Sequence, residues 1–218
     1  MPLYKKATIH PGTQLLVWKI TETHDELFNA VSLKSVCLAR IQGMKSEQHR
    51  KGFLSVRMLL QEAGYTDFDL YYDNDGKPHL TDDNYISITH SHHFSAIIIS
   101  SENTGIDIEK QRNKIAVIAN KFCQAELAYL NPENHAEYIR LLTVIWGVKE
   151  ALYKMISLPG ISFKNHIRVA GFDLDKNSGT ATALFNGSDS NYIFHFEEIE
   201  GFTLVYSFEI NNAINTIL

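Results

Sequence analysis

The order of secondary-structure patterns along the chain predicts an α+β fold in which the two halves have a similar order of elements. In each half, segments with the apolar spacing of helices come first, and a run of short strand-like segments follows them. The 218 residues are 44% apolar and 21% charged, which is typical of a folded globular protein with a sizeable core. A chain of this length fits one large domain or two small, closely packed ones.

The first half begins with a predicted strand at residues 13–20 and a helical composition at residues 24–41, in one or two pieces. Ser46 is placed as the N-cap of a further helix that runs to about Ala63, because its hydroxyl can accept a free backbone N–H of the first turn. Gly64 is expected to end this helix. The apolar residues at helical spacing that form its predicted buried stripe are Phe53, Val56, Leu60 and Ala63.

Four short strands are expected after that helix. They are residues 68–72, 84–89, 94–100 and 106–109. A turn-rich loop at residues 73–80 separates the first two. The tight turn at residues 101–105 predicts that the third and fourth strands pair as a hairpin.

The second half repeats the order of helices and strands. Helices are predicted at about residues 114–130 and 135–155, with Pro132 between them because proline lacks the N–H that a helix interior needs. The strands expected next are residues 167–174, 179–185, 191–199 and 202–210. Asn186 and Gly187 predict a turn between two of them.

Composition and charge argue against several classes of function. The net charge of −5 argues against a general nucleic-acid binder, and no run reaches the roughly 18 apolar residues that span a membrane. The first residues contain no clean apolar signal region, so we expect a cytoplasmic protein with no membrane partner. Cys37 and Cys123 lie far apart and match no CxxC pattern, and we interpret them as reduced thiols.

A basic segment contrasts with the acidic remainder of the chain. Between Lys34 and Arg57 the sequence has six basic residues and one acid, Glu47, so this segment carries +5 and the rest of the chain −10. Runs of charge are usually solvated faces, but this contrast predicts a local anion site.

The segment GIDIE (105–109) contains two carboxylates on one face of a predicted strand. Ile106 and Ile108 are expected to face the core, so that Asp107 and Glu109 share the other side. Neighbouring carboxylates repel each other unless a cation lies between them or water screens them. The pair is therefore either a metal site or a solvent-facing acidic pair.

The segment WGVKEALYK (146–154) lies in the second predicted helix of this half. Its apolar stripe is Leu141, Ile145, Val148, Leu152 and Met155. Glu150 and Lys154 are four residues apart and are therefore neighbours on the opposite side, and Lys149 lies between them and the stripe. An ordinary surface ion pair would have the same spacing.

Three histidines close together, His90, His92 and His93, raise the question of a zinc site. Zinc sites built with histidine usually include a carboxylate or cysteine in register, and THSHHF offers neither nearby. We therefore place His92 and His93 in a turn before the next strand, and a zinc site is the less favoured alternative.

Taken together, GIDIE and the WxxKExxxK pattern about forty residues later resemble the signature of the 4′-phosphopantetheinyl transferases. The resemblance is closest to the larger, single-chain branch that activates peptide synthetases. Further segments resemble family patterns in the expected order: HRKGFLSVRMLL (49–60), GKPHL (76–80), ISITHS (86–91) and FCQAE (122–126). The resemblance covers about residues 40–164, and the first 30 residues and the strands after 165 carry almost none of it.

The resemblance implies a fold of two similar α/β halves related by a pseudo-twofold axis. Residues 1–104 would form an N-terminal half that contacts the phosphates and adenine of coenzyme A. Residues 105–218 would form a C-terminal half with the Mg²⁺ and catalytic residues. Coenzyme A would lie between the halves, and the protein is expected to be a monomer.

The resemblance also implies the reaction, which is Mg²⁺-dependent transfer of the phosphopantetheine arm of coenzyme A to a serine of an apo acyl or peptidyl carrier protein. Asp107, Glu109 and Glu150 would be the metal ligands, and oxygen donors of this kind suit Mg²⁺. Glu150 would help to remove the serine proton. Lys154 would stabilise the pyrophosphate oxygens, with Lys149 beside it, and 3′,5′-ADP would leave.

Coenzyme A contacts are implied on the first half of the chain. The positions that match the family patterns are Arg50, Lys77, Pro78, Thr89 and His90. Arg57 either joins them or anchors its own helix.

Two other functions stay open from the sequence. One is a non-catalytic carrier-protein or nucleotide-binding module on the same fold, and the other is a different Mg²⁺-dependent transferase. The sequence does not distinguish carriers of fatty acid, polyketide and peptide synthetases.

Overall fold

The computed structural model describes residues 2–185 and 187–210. Contacts within the chain divide it into two compact units, Met1–Glu102 and Asn103–Leu218. Each unit combines helices with antiparallel sheets, so the predicted α+β class is confirmed. None of the helices in the described residues has both the length and the apolar character that a membrane-spanning segment requires.

The first unit is built on a four-stranded antiparallel sheet and a small two-stranded one. Its strands are β1 (Leu3–His10), β2 (Thr13–Lys19), β3 (Leu70–Tyr72), β4 (Pro78–Leu80), β5 (Tyr85–Ser91) and β6 (Phe94–Ser100). Its helices are α1 (His24–Ala30), α2 (Ser35–Gly43) and α3 (Glu47–Glu62). The larger sheet has the order β1-β2-β6-β5, and β3 pairs with β4.

Helix α3 packs on this sheet and begins and ends where the sequence predicts. The Ser46 hydroxyl accepts a hydrogen bond from the backbone N–H of His49, and Gly64 follows the helix with a positive φ of 89°. Phe53, Val56 and Leu60 are buried in the core of the unit. The helical segment before it forms two helices, α1 and α2.

In the first unit one strand was missed and two predictions are wrong in detail. The edge strand β1 was not expected, because only alternate residues of it are half-buried and its apolar pattern is weak. The loop at 73–80 contains β4. The hairpin predicted after β6 does not form, because β6 pairs with β2 and β5.

The second unit is built on a five-stranded antiparallel sheet. Its strands are β7 (Thr104–Lys110), β8 (Ile167–Val169), β9 (Ser178–Phe185), β10 (Ser188–Ile199) and β11 (Phe202–Glu209). Its helices are α4 (Lys114–Phe122), α5 (His135–Ile156) and α6 (Phe163–His166). The strand order is β7-β11-β10-β9-β8.

The predicted elements of the second unit are mostly present but differ in length. Helix α4 stops at Phe122, and a short 3₁₀ turn covers Ala125–Ala128. Strand β8 ends at Val169, earlier than predicted. Asn186 lies outside the described residues, so only Gly187 of the predicted turn is described, with a φ of 78°.

Helix α5 lies across β7 and β11 and contributes more residues to the apolar core than any other element of the unit. The predicted stripe is confirmed, because every one of its residues is buried: Leu141, Ile145, Val148, Leu152 and Met155. Two glycines allow the close packing. A Cβ on Gly105 would lie 2.1 Å from the Ala151 carbonyl oxygen, and one on Gly147 would lie 2.7 Å from Val205 Cγ2.

Candidate active site

The close approach of α5 to β7 brings together the GIDIE and WGVKEALYK motifs. Lys154 Nζ lies 2.9 Å from Asp107 Oδ1 and also donates to the Ile106 carbonyl oxygen at 2.8 Å. Glu150 lies one turn before Lys154 on the same helix, and Glu109 lies two residues after Asp107 on the same strand. The site is thus made by one strand and one helix of the second unit.

The glycine in GIDIE explains this geometry. Without a side chain, Gly105 lets the α5 backbone at Ala151 approach the strand more closely than any other residue would allow. Because Asp107 lies on the same face of β7, it too is covered by the helix and is only 5% exposed. Asp107 and Glu109 are therefore not a solvent-facing acidic pair, because Asp107 is buried.

The carboxylates of the site act on one another electrostatically. Burial raises the pKa of Glu150 to about 7, Asp107 and Glu109 raise it as well, and Lys154 opposes them. The pKa of Glu109 is raised by burial and by Asp107, while Arg112, a hydrogen bond from Trp146, and Lys154 lower it. Asp107 and Glu109 therefore lie close enough to Glu150 to raise the pKa of that partly buried carboxyl.

The chemistry of this donor set fits a hard divalent cation. Neighbouring carboxylates are stabilised when a cation lies among them, and oxygen ligands are the ones that Mg²⁺ prefers. In the structure the ammonium group of Lys154 balances part of this charge. Within residues 2–185 and 187–210, no group of three or more His, Cys, Asp or Glu side chains is already arranged to hold a metal ion.

Lys149 is held in the interior of the second unit, and its expected contact with ligand phosphate stays a prediction. Its side chain is fully buried, and its ammonium group lies 2.7 Å from Glu126 Oε1. It also donates to the carbonyl oxygens of Phe122 at 2.8 Å, Phe163 at 2.9 Å and Ile167 at 2.7 Å. With these four acceptors, Lys149 ties α5 to the segments around it.

Glu126, whose role the sequence left open, is the buried partner of Lys149. Its carboxylate accepts the backbone N–H of Val169 and that of Gln124, each at 3.0 Å. The FCQAE and WxxKE segments therefore meet in an internal ion pair. The clue in the sequence was that Lys149 is spaced from Ile145 and Leu152 as a member of the buried stripe.

Two of the predicted coenzyme A residues lie near the start of α3. Arg50 is in its first turn, and His90 packs against the helix from strand β5. His90 is exposed, and its ring lies so close to Gly52 that a Cβ there would be 3.3 Å away. Its ring centroid is 6.4 Å from that of His49. Arg50 donates to the Met44 carbonyl oxygen at 2.8 Å.

The other predicted coenzyme A residues lie on β5 and at the start of β4. Thr89 precedes His90 on β5 and is buried. Lys77 and Pro78 lie in the β3–β4 hairpin, where the Lys77 backbone N–H donates to Asp73 Oδ1 at 2.8 Å. Burial lowers the pKa of Lys77, and Asp73 opposes this. Their contacts with a ligand stay predictions.

Arg57 anchors its own helix, which was one of the two alternatives. It is buried, and its Nε lies 3.0 Å from Asp67 Oδ1. Its guanidinium carbon lies 3.6 Å from the centre of the Phe53 ring, over that ring. Cys37 is buried beside this ion pair, with its thiol 3.4 Å from the Asp67 carboxylate.

His92 and His93 form the two-residue turn between β5 and β6, where the sequence placed them. Ser91 and Phe94 pair on either side of this turn. His92 adopts a positive φ of 52°, a backbone conformation that is uncommon for residues other than glycine.

A strand carboxylate paired with a helix lysine, beside further carboxylates, is suited to moving an anionic group with the help of a cation. Comparison with known proteins identifies the class. Residues 103–208 match the model of the 4′-phosphopantetheinyl transferase superfamily. No curated protein matches the chain with significance.

The second unit therefore is a domain of the 4′-phosphopantetheinyl transferase superfamily, and the resemblance drawn from the motifs is confirmed at this level. Membership implies a transferase of the 4′-phosphopantetheinyl type, with coenzyme A and a carrier protein as its general partners. All four residues of the site lie inside the matched range. The assignment to the larger single-chain branch stays a prediction.

Proposed function

We propose that the protein transfers the 4′-phosphopantetheine arm of coenzyme A to a serine of an apo carrier protein, with Mg²⁺ as cofactor. The serine oxygen forms a new bond to the phosphorus attached to the pantetheine arm. The bond from that phosphorus to the bridging oxygen breaks, and 3′,5′-ADP leaves. The observation that carries the proposal is the group of Asp107, Glu109, Glu150 and Lys154 within the matched domain.

Each residue of the group has a role that its position supports. Asp107, Glu109 and Glu150 would hold the cation, which when bound neutralises charge on the pyrophosphate. Glu150, which is half-buried on α5, accepts the serine proton directly or through a water molecule. Lys154 is 29% exposed, so it can contact the leaving phosphate as well as Asp107.

The coenzyme A contacts are proposed for the first unit. Arg50 and Lys77 supply positive charge for its phosphates, and Pro78 shapes the loop that presents Lys77. His90 is exposed beside the first turns of α3 and donates to a phosphate oxygen, with Thr89 next to it. In this proposal the first unit binds the nucleotide and the second performs the transfer.

The acceptor is an acyl or peptidyl carrier protein, and the protein acts as a cytoplasmic monomer without nucleic-acid or membrane partners. Which carrier it modifies, from a fatty acid, polyketide or peptide synthetase, is decided by a screen of apo carriers from the source genome.

The test is mass spectrometry of an apo carrier protein after incubation with coenzyme A and Mg²⁺. A gain of one phosphopantetheine is expected for the wild-type protein, and Asp107→Asn should nearly abolish it. Glu198→Gln is the matched control, because Glu198 forms an ion pair with Arg140 at 2.8 Å on the surface of the same unit. Equal transfer by Asp107→Asn and Glu198→Gln would contradict the proposal.

A non-catalytic module on the same fold is the alternative. It would bind coenzyme A, measured by calorimetry, without modifying any apo carrier in the screen.

A further inference from the structure

Trp146 is the residue of the second motif whose role is not explained by the proposed transfer chemistry. It lies on α5 next to Gly147, at the point where the helix touches the sheet. A Cβ on Gly147 would lie 3.8 Å from Asp107 Oδ2. Trp146 therefore belongs to the part of α5 that packs against β7, the strand that carries the two acidic residues of GIDIE.

The same indole lines a cleft of about 170 Å³ together with Glu109. Apolar side chains of α4 form another part of the lining, Ile115 and Ile118 among them, and Arg112 lies at its rim. Trp146 and Glu109 thus share one cleft, and a hydrogen bond from the Trp146 side chain acts to lower the pKa of the Glu109 carboxyl. An indole has only its N–H to offer in such a bond, so it acts as the donor.

Two phenylalanines hold the indole in this orientation. The ring of Phe122 meets Trp146 edge-on at a centroid distance of 5.0 Å, and the ring of Phe163 does so at 5.5 Å. The backbone carbonyl groups of these same two residues accept hydrogen bonds from Lys149. Lys149 therefore fixes the backbone on both sides of the indole.

We propose that Trp146 is a positioning residue, which donates its indole N–H to Glu109 and orients that carboxylate toward the cation. Lys149 supports it from the interior by holding Phe122 and Phe163 against the indole. Partners of metal-ligating side chains commonly have this effect, because a fixed ligand loses less freedom when the metal binds. The inference rests on the proposed function, since it requires that the site binds Mg²⁺.

The test uses the only two tryptophans in the sequence, Trp18 and Trp146. Trp146→Phe keeps an aromatic ring and removes the N–H. Trp18→Phe is a matched control, because the Trp18 indole N–H donates to Glu22 at 3.2 Å in the first unit. For each variant, the Mg²⁺ dependence of transfer and of the melting temperature is measured.

We expect Trp146→Phe to need at least about ten times more Mg²⁺ for half-maximal effect in both assays. Trp18→Phe should stay within about twofold of wild type, as expected for a residue with no part in metal binding. A purely structural role would lower the melting temperature of Trp146→Phe without changing its Mg²⁺ dependence, and that result would overturn the inference.

A second measurement does not depend on the folding of Trp146→Phe. In Trp18→Phe, Trp146 is the sole indole, and its fluorescence should change on addition of MgCl₂, with the midpoint seen in the transfer assay. This response should be lost when Glu109→Gln is added. If transfer requires Mg²⁺ while Trp146 emission does not respond, the inference fails and the proposed function stands. If neither transfer nor melting responds to Mg²⁺, the metal in the proposed function is wrong and the inference falls with it.

Discussion

Replacing Lys149 by methionine distinguishes an internal anchor from a ligand contact. Methionine fills most of the space of the lysine stem but offers no donor. The change therefore leaves the Glu126 carboxylate buried without its ammonium partner at 2.7 Å. It also removes the donor from three backbone carbonyl groups, those of Phe122, Phe163 and Ile167.

The size of the effect follows from this burial. Both side chains of the pair have no exposed surface, so solvent does not screen the charge that remains. Removing one partner of a buried ion pair costs about 3–5 kcal/mol. For a chain of this size this corresponds to a melting temperature lower by roughly 6–20 °C. Adding Glu126→Gln, which removes the stranded charge, should restore at least about 1 kcal/mol.

The matched variant is Lys154→Met, five residues further along the same helix. The side chain of Lys154 is 29% exposed and that of Asp107 6%, so the loss of this pair should lower the free energy of unfolding less than the loss of the fully buried Lys149–Glu126 pair. Its loss should instead lower the transfer rate at least about a hundredfold, as the removal of a donor to developing charge does. Calorimetric unfolding and carrier modification are measured on both variants.

The reasoning is refuted if the two lysines behave in the opposite way. If Lys149→Met melted within about 2 °C of wild type and raised only the KM for coenzyme A, Lys149 would be a ligand contact after all. The double variant Lys149→Met/Glu126→Gln should be more stable than Lys149→Met alone. If it were less stable, the buried charge of Glu126 would not be the cause of the lower melting temperature.

The remaining predictions concern coenzyme A and the close packing of the site. Arg50→Ala should weaken binding of coenzyme A much more than that of dephospho-coenzyme A, measured by calorimetry, and an equal loss for both would assign Arg50 to another group or to structure. His90→Ala should lower kcat/KM for coenzyme A about tenfold or more, because a charge-assisted phosphate contact contributes about 1.5–3 kcal/mol. His92→Ala and His93→Ala should change it by less than about threefold, and stoichiometric zinc that disappears in these variants would contradict this. Gly105→Ala should lower the free energy of unfolding by about 2 kcal/mol or more and also impair transfer, because the added Cβ would overlap the backbone of α5. Near-normal stability and turnover of this variant would show that the strand does not need glycine at this position.

The sequence predicted the elements whose signals are local. Helix α3 begins after Ser46 and ends before Gly64 because a cap and a stop act on neighbouring residues only. The stripe of α5 could be found for the same reason, since apolar residues repeat on one face of one helix.

Strand pairing and buried charge could not be predicted in this way. Strands β6 and β7 are separated by a tight turn, yet they do not pair with each other: β6 pairs with β2 and β5, and β7 pairs with β11, about 100 residues later. Lys149 was placed beside the ligand because helix spacing puts it next to Glu150. Only its partner, Glu126, 23 residues earlier, shows that its charge points inward.

The candidate site itself was found from the sequence because its two motifs are each compact. Asp107 and Glu109 share one face of a strand, and Glu150 and Lys154 share one face of a helix. The burial of Asp107 could not be foreseen, since it depends on how closely α5 packs at Gly105.

The pairing of β7 with β11 has a consequence for the order in which the protein acquires its site. The Thr104 hydroxyl donates to the Ser207 carbonyl oxygen, a contact that spans 103 positions of the chain. Closing a loop of that length costs roughly 4 kcal/mol of chain entropy before any contact compensates it. During synthesis, both catalytic motifs therefore leave the ribosome well before the strand that completes their sheet. A nascent chain that ends before Phe202 would contain every residue of the proposed cation site but would lack the strand that holds β7 in place.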